Sequence, residues 1–586
     1  MDVRFLVERF LSIRSAWQGS QGPDGCIYYL SNVTGIPLLW RACPSGPGGL
    51  VHDIVLPWQR RIGDYKISPT GGIAFTSDFD GDENWALYHY TGSSVRLVSG
   101  EDGSMNLLGA WDSGGRRLAY TSNKRNSIDF DYYIYDARTG ESRLVAKGQG
   151  IATVEAWLDE ETIVAVKRNT NLDTDIVLVN AETGDIVNLT SHTGEEQNTS
   201  PRPLGDRIIY LSNRDSEYTG IWLLDPETGD ASLLYNPGHD VELLEVAGGR
   251  VYAAVNKEGA SRIEKLTLHS GRLLPQTVYE AKWTVSTISE AGQGLIVSAS
   301  SPTEGVEVFL LQEPRLEKVT ESPKLSLSGL FTEPWDFHYE SFDGLRIHGL
   351  VYEPRGRERP HPAVVWLHGG PESQARPGFN ILQQALQALG IAVVAPNFRG
   401  STGYGKTFTH LDDVEKRMDA VRDVAEAVKS LVREGVIREK PCVMGGSYGG
   451  YLTLMSLGVY PDLWSCGVSI VGIVNLVTFI RNTSPYRRHY RIVEYGDPDR
   501  HGEIMLQLSP ISYVHRIKAP LMVIHGAKDP RVPVSEAEQL VEALKDRGVE
   551  VEYIRLEDEG HGIVKIDNRL RVYTRALQFI LEHLKR

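Results

Sequence analysis

One pattern returns seven times through the first 310 residues: a short apolar strand, a polar turn, a second strand, often a Thr-Gly or Ser-Gly turn, then a third strand. Its instances are IYYLSN at Ile27, IAFTSD at Ile73, LAYTSN at Leu118, IVAVKRN at Ile163, IIYLSN at Ile208, VYAAVN at Val251 and LIVSAS at Leu295. The successive spacings are 46, 45, 45, 45, 43 and 44 residues. A multi-stranded unit of this length cannot bury both of its faces alone, so the units must stack around a common axis. The turns DARTGES (136–142), NAETGDI (180–186) and DPETGDA (225–231) recur at matching places, as hairpins between outer strands would. Two β-sandwiches would also contain many short strands, but nothing would hold them to one period. The pattern predicts a seven-bladed β-propeller over residues 23–324.

After about residue 320 the grammar changes. FHYESFDGLRIHGLVYEP (337–354) alternates as a strand pair, and then apolar runs AVVWL (363–367), IAVVAP (391–396), CVMG (442–445), CGVSIV (466–471) and LMVIH (521–525) alternate with helical stretches such as 411–435. Continuous apolar strands between amphipathic helices predict a parallel sheet covered on both faces. Residues 325–586 therefore read as an α/β domain, and 586 residues are too many for a single core.

The first 22 residues read as a separate helix packing with the α/β domain. Val3, Leu6, Val7, Phe10 and Leu11 recur at helical spacing, and Glu8 and Arg9 interrupt any secretory apolar core. No run of 18 uncharged apolar residues occurs, so no membrane helix is expected, and the protein is expected in the cytoplasm. A net charge of −15 argues against nucleic acid and anionic membrane as partners. Of the four cysteines, Cys26 and Cys43 flank a hairpin, and Cys442 and Cys466 lie on two strands. Cytosolic thiols stay reduced, hyperthermophiles excepted, so free buried thiols are expected at both pairs.

The chemistry centres on GGSYGG, residues 445–450. Four glycines in six residues carry a large entropic cost unless a tight turn needs them. The pattern is that of the nucleophile elbow, a strand-turn-helix corner that exposes a serine, here Ser447. Downstream, APLMVIHGAKDPRVPV (519–534) delivers Asp529 after a strand, and VEVEYIRLEDEGHGIV (549–564) delivers His561 after the next. Serine, then acid, then histidine, each at a strand's end, is the α/β-hydrolase order. Imidazole activates the hydroxyl, and a carboxylate fixes its tautomer and stabilises its charge. The oxyanion hole is expected from the Tyr448 N–H and from Gly369 or Gly370 in WLHGGPE (366–372). Taken singly, Asp529 reads equally as a turn cap, and His525 and His368 compete with His561; order and position select the triad.

These motifs carry a resemblance. A propeller followed by an α/β-hydrolase domain resembles the prolyl oligopeptidase family of serine peptidases. HGGPESQ (368–374), PNFRGSTGYG (396–405), GGSYGGY (445–451) and DPRVP (529–533) are most similar to its acylaminoacyl peptidase branch. The resemblance implies an enzyme without cofactor or metal that releases N-acylated amino acids from short peptides, with the propeller limiting access. It also implies that Arg531 contacts substrate and that Glu83, in the stretch ENWALY, pairs with Arg531 across the domain boundary. An esterase or general oligopeptidase on the same triad is the alternative reading, and a propeller interaction scaffold a more distant one. No segment matches the paired-glutamate helix of the family's dipeptidyl peptidases, which weakens an aminopeptidase reading without removing it. Asp78, Asp80 and Asp82 have calcium-loop spacing, but Glu83 and His89 stand where glycine and glutamate are needed, so no metal is expected. The sequence leaves the oligomeric state open, a homo-oligomer included. It also leaves open whether IVGIVNLVTFIRN (470–482) lines a P1 pocket or forms a core helix.

Overall fold

The computed structural model describes residues 2–46, 49–280, 282–292, 294–324 and 327–584. Seven four-stranded antiparallel sheets occupy the first part of the chain, and each of the seven apolar repeats forms the second strand of one sheet. These are Ile27–Ser31, Ile73–Ser77, Arg117–Ser122, Thr162–Arg168, Arg207–Ser212, Arg250–Lys257 and Gly294–Ser301. The second strand is buried on both faces by its neighbours, which is why its apolar run is continuous.

The Thr-Gly turns join third to fourth strands. In each, an Asp or Asn side chain accepts two successive backbone N–H groups: Asp136 from Arg138 and Thr139, Asn180 from Glu182 and Thr183, Asp225 from Glu227 and Thr228. The glycine that follows is left-handed, at φ 79°, 78° and 76° for Gly140, Gly184 and Gly229. Blade seven closes on blade one. Ala16, Ile27, Tyr29 and Ala42 share a core with Ala291, Ile296 and Val308, and Ser289 Oγ donates to the Gly19 carbonyl at 2.7 Å.

The N-terminal helix is shorter than the 22 residues read from sequence. Val3–Leu11 is helical, capped by Asp2, while Ala16–Gln21 is already the first strand of blade one. That strand, AWQGSQ, has Gly19 and polar residues and lacks the apolar run that marks strands elsewhere. Leu6, Val7, Phe10 and Leu11 pack into the hydrolase core with Phe331, Leu382 and Ile580. The expected boundary at 324/325 abuts residues 325 and 326, which lie outside the described residues.

The hydrolase sheet has eight strands in the order Trp335–Glu340, Arg346–Tyr352, Ala392–Pro396, Ala363–Leu367, Cys442–Gly446, Cys466–Ile470, Leu521–Gly526, Val551–Leu556. The first two join antiparallel and the rest run parallel. Helices cover both faces, so the carboxyl ends of the parallel strands meet along one edge, facing the propeller. No described helix is long and apolar enough to cross a membrane.

Both cysteine pairs are disulfides, Cys26–Cys43 and Cys442–Cys466, against the expectation of free thiols. Each pair sits directly across neighbouring strands: Cys442 pairs with Cys466, and the antiparallel register of Ile27 with Ala42 sets Cys26 opposite Cys43. The spacing of the sequence did not reveal that register. The stretch 470–482 resolves to core, with Ile473, Val474, Leu476, Phe479 and Ile480 buried among hydrolase side chains.

Candidate active site

Ser447 sits between the strand Cys442–Gly446 and the helix Tyr448–Val459, at φ 57° and ψ −118°. A left-handed non-glycine residue costs roughly 1–3 kcal/mol, and the surroundings hold it there. Its N–H donates to the Ile470 carbonyl at 2.9 Å and its carbonyl accepts from Tyr451 N–H at 3.0 Å. A Cβ on Gly449 would overlap the carbonyl of Leu367, so only glycine lets the helix approach the neighbouring strand this closely. That answers the cluster of glycines around the serine.

Asp529 and His561 come together from the ends of the last two strands. His561 Nδ1 lies 2.6 Å from Asp529 Oδ2, and Asp529 Oδ1 accepts from the N–H groups of Arg531 at 2.8 Å and Val532 at 3.0 Å. Burial pushes the Asp529 carboxyl up, but the charge and hydrogen bond of His561 and the backbone donor of Val532 outweigh it and bring the pKa down. The carboxylate is thus held ionised against the imidazole. Ser447 Oγ has no hydrogen-bond partner among the described residues, and catalytic hydrogen bonds of this kind often tighten only with substrate.

The competing histidines are engaged elsewhere. His525 is buried, with Nε2 on the Val532 carbonyl at 2.9 Å and 3.6 Å from Asp529 Oδ2. His368 stacks on Phe398 at 4.3 Å, with Nε2 on Ser401 Oγ at 2.9 Å, and burial lowers its pKa to about 4.

Gly369 lies against the elbow: a Cβ built on it would stand 3.4 Å from Ser447 Cβ and 3.2 Å from the Gly446 carbonyl. Tyr495 Oη donates to the Gly370 carbonyl at 3.0 Å, which holds that peptide from behind. The N–H groups of Gly369, Gly370 and Tyr448 have no acceptor among the described residues. Tyr448 opens its helix, where an N–H is unpaired within the helix and carries positive partial charge.

The propeller reaches this site through the turn 77–85. Glu83, at φ 56°, accepts from Arg531 Nε at 2.8 and 2.9 Å. The structure therefore joins the two residues whose pairing the resemblance implied. Arg487 Nη2 is a second donor to Glu83, at 2.9 Å. Sequence reading did not single out Arg487, though Arg487 and Arg491, four apart in SPYRRHYRIVEYG, mark a basic helix face that was legible. The three aspartates of the turn diverge: Asp78 pairs with Arg61, Asp80 with Lys528 and Lys565, and Asp82 caps the local backbone.

Residues 377–586 match the model of the prolyl oligopeptidase family. Dipeptidyl aminopeptidase BIII of Pseudoxanthomonas mexicana is 27% identical over 93% of this chain and 84% of its own. The acylamino-acid-releasing enzyme of Rattus norvegicus is 29% identical over 38% of this chain, and the chain spans only 31% of that enzyme's length. The solved acylaminoacyl peptidase of Pyrococcus horikoshii superposes with a TM-score of 0.77 at 20% identity, over 98% of this chain and 97% of its own, a likeness of fold. The match to the prolyl oligopeptidase family thus falls on the α/β-hydrolase domain, and the seven-bladed propeller before it gives the chain an architecture similar to that of the solved acylaminoacyl peptidase.

Proposed function

We propose that the protein cleaves short peptides with blocked amino termini and releases an N-acylated amino acid through an acyl-enzyme on Ser447. The observation that carries this reading is the convergence of Ser447, the His561–Asp529 pair at 2.6 Å and three unengaged N–H groups beside the elbow. Ser447 Oγ attacks the scissile carbonyl carbon while His561 Nε2 takes its proton. Asp529 stabilises the imidazolium that results. The N–H of Tyr448, with that of Gly369 or Gly370, holds the oxyanion, each donor worth on the order of 10²–10³ in rate. Collapse breaks the C–N bond and His561 returns its proton to the departing amine. Water then attacks the acyl-enzyme by the same steps in reverse order.

A blocked amino terminus suits the charges around the site. Glu83 and Glu372, the carboxylates on the turn that reaches Arg531 and on the loop after Ala363–Leu367, are both committed to arginines. Neither is left over for a substrate ammonium. Arg531 remains partly exposed beside Asp529, with Glu83 holding its guanidinium in place for a substrate carbonyl. The relative named dipeptidyl aminopeptidase, aligned over 93% of this chain, keeps an aminopeptidase as the second reading. Ester cleavage on the same machinery is a third outcome of the test.

The deciding experiment compares wild type and Ser447→Ala on an N-acetylated amino-acid anilide, its free-amine counterpart and a nitrophenyl ester. Preference for the acetylated anilide, lost in the variant, is expected. Preference for the free amine, or ester turnover with negligible anilide cleavage, overturns the acyl-peptide reading. Full activity in the variant overturns the assignment of Ser447.

A further inference from the structure

Between blade four and the helix Pro485–Tyr495 lies a cavity of about 560 Å³, walled by Ile128, Gly150, Tyr486, Tyr490 and Ile492, with Arg168 opening into it. Arg168 is the last residue of the strand Thr162–Arg168. The loop that follows carries Asn171, whose Nδ2 donates to Glu372 Oε1 at 3.0 Å. Glu372 belongs to the same loop as Gly369, which touches Ser447. The Tyr490 hydroxyl bonds the Ile151 N–H, tying the helix to the same blade. The loop that leaves the cavity at Arg168 thus meets, through Asn171 and Glu372, the loop that bears the expected oxyanion donors.

Among the described residues the Arg168 guanidinium has no hydrogen bond or ion pair. Its charged neighbours are Arg487, Arg491 and Glu372, and Glu372 is already shared by Asn171 and by Arg491 at 3.6 Å. Arg487 is spent on Glu83. Lys167 and Arg488 also line the cavity, while its one carboxylate, Asp129, accepts from Gly150 N–H and Asn126 Nδ2, both at 2.8 Å. Among the described residues Lys167 and Arg168 have no carboxylate partner, and Arg488 donates only to the Arg481 carbonyl, so the cavity is lined by uncompensated cations. Arg168 is solvent-exposed at the end of its strand, and the atoms packed around its guanidinium, together with Arg487 and Arg491, lower its pKa. An anion at this point would relieve that repulsion, and a guanidinium fits a carboxylate with two parallel hydrogen bonds.

We infer that Arg168 is a specificity-determining residue that binds the free C-terminal carboxylate of a short peptide substrate, on the segment that leaves. The inference rests on the acyl-peptide reading in one respect. A peptide blocked at its amino end keeps its C-terminal carboxylate as its one constant charge, and that charge lies beyond the scissile bond. Chain length is then read twice, by exclusion at the propeller and by the span from Ser447 to Arg168.

The test uses N-acetylated peptides of increasing length, each as free acid and as C-terminal amide, on wild type, Arg168→Gln and Arg168→Lys. In wild type the acid is expected to exceed the amide in kcat/KM by about ten-fold or more at its best length, through KM, and less at high salt. The ratio falls to about one in Arg168→Gln and is partly kept in Arg168→Lys. Because the readout is a ratio of two substrates on one preparation, partial misfolding cancels. A wild-type ratio near one, or a ratio kept in Arg168→Gln, overturns the inference. The same acid and amide pairs with free amino termini separate the two readings. If only those are cleaved, the acyl-peptide proposal fails, while their ratio still decides Arg168. If no peptide is cleaved, the inhibition constants of acid and amide against ester hydrolysis supply the ratio.

Discussion

Gly81 of the propeller and Gly560 of the hydrolase domain meet backbone against backbone: a Cβ on Gly560 would overlap the Gly81 carbonyl. Gly81 is left-handed at φ 84°, and Gly560 directly precedes His561. The same propeller turn sends Asp80 to Lys528 and Lys565, at 2.8 Å each, and Glu83 to Arg531. One turn of one blade therefore holds the loops of both Asp529 and His561.

Gly560→Ala is expected to push the His561 loop off this turn. Overpacking of this kind costs about 1–3 kcal/mol, and displacing a catalytic group by about 1 Å costs on the order of 100-fold in rate. Thermal melting and kcat/KM should both fall, with activity falling further than stability accounts for. Wild-type kinetics in the variant would mean that the contact does not position His561.

Glu83 and Arg531 should couple. Glu83→Gln leaves Arg487 and Arg531 facing each other without their shared counter-ion. A double-mutant cycle with Arg531→Met is expected to give a coupling of about 1 kcal/mol in stability, kept modest because Arg531 is partly exposed. Additive effects in both stability and activity would show that the pair is incidental.

The domain boundary also carries a pH-dependent contact. His410 of the hydrolase domain lies 2.7 Å from Asp413 and 2.6 Å from Glu195 of the propeller, and these two carboxylates raise its pKa from 6.5 to about 10. The folded pKa exceeds the unfolded one, so the stabilisation is complete below pH 6.5, declines as pH rises and is gone above about pH 10. Melting of wild type and His410→Gln across this range should show a gap that closes towards the alkaline end. A gap independent of pH would point to packing alone.

Thiol titration of the denatured, unreduced chain should find no free thiols, since all four cysteines are paired. The closed loops span 17 and 24 residues, so removing either bond by Cys→Ser exchange of both partners is expected to cost roughly 3 kcal/mol on the chain-entropy account. Four titratable thiols in the isolated protein would show the pairs reduced.

Much of this molecule was legible in the chain because local patterns recur. A second strand buried on both faces must be a continuous apolar run, and its return every 43–46 residues made the seven blades countable. The elbow was legible because close approach of helix and strand admits only glycine around Ser447. What escaped were relationships with no local mark. The disulfides depend on which residues two strands set side by side. The first blade strand, Ala16–Gln21, has no apolar run of its own, and it belongs to blade one through its pairing with Ile27–Ser31.

The sequence by itself determined two domains, the order of their elements and the three residues expected to carry the chemistry, because hydrophobic period and strand-end motifs are set within a few residues of chain. Only the tertiary structure decided that Glu83 shares itself between Arg531 and Arg487, that Gly81 rests on Gly560, and that Arg168, near Glu372, has no partner among the described residues. Glu83 and Arg531 lie 448 residues apart in the chain. Their pairing, like the others, exists only because two separately buried cores present their polar loops to one another, and charge balance is settled at that interface.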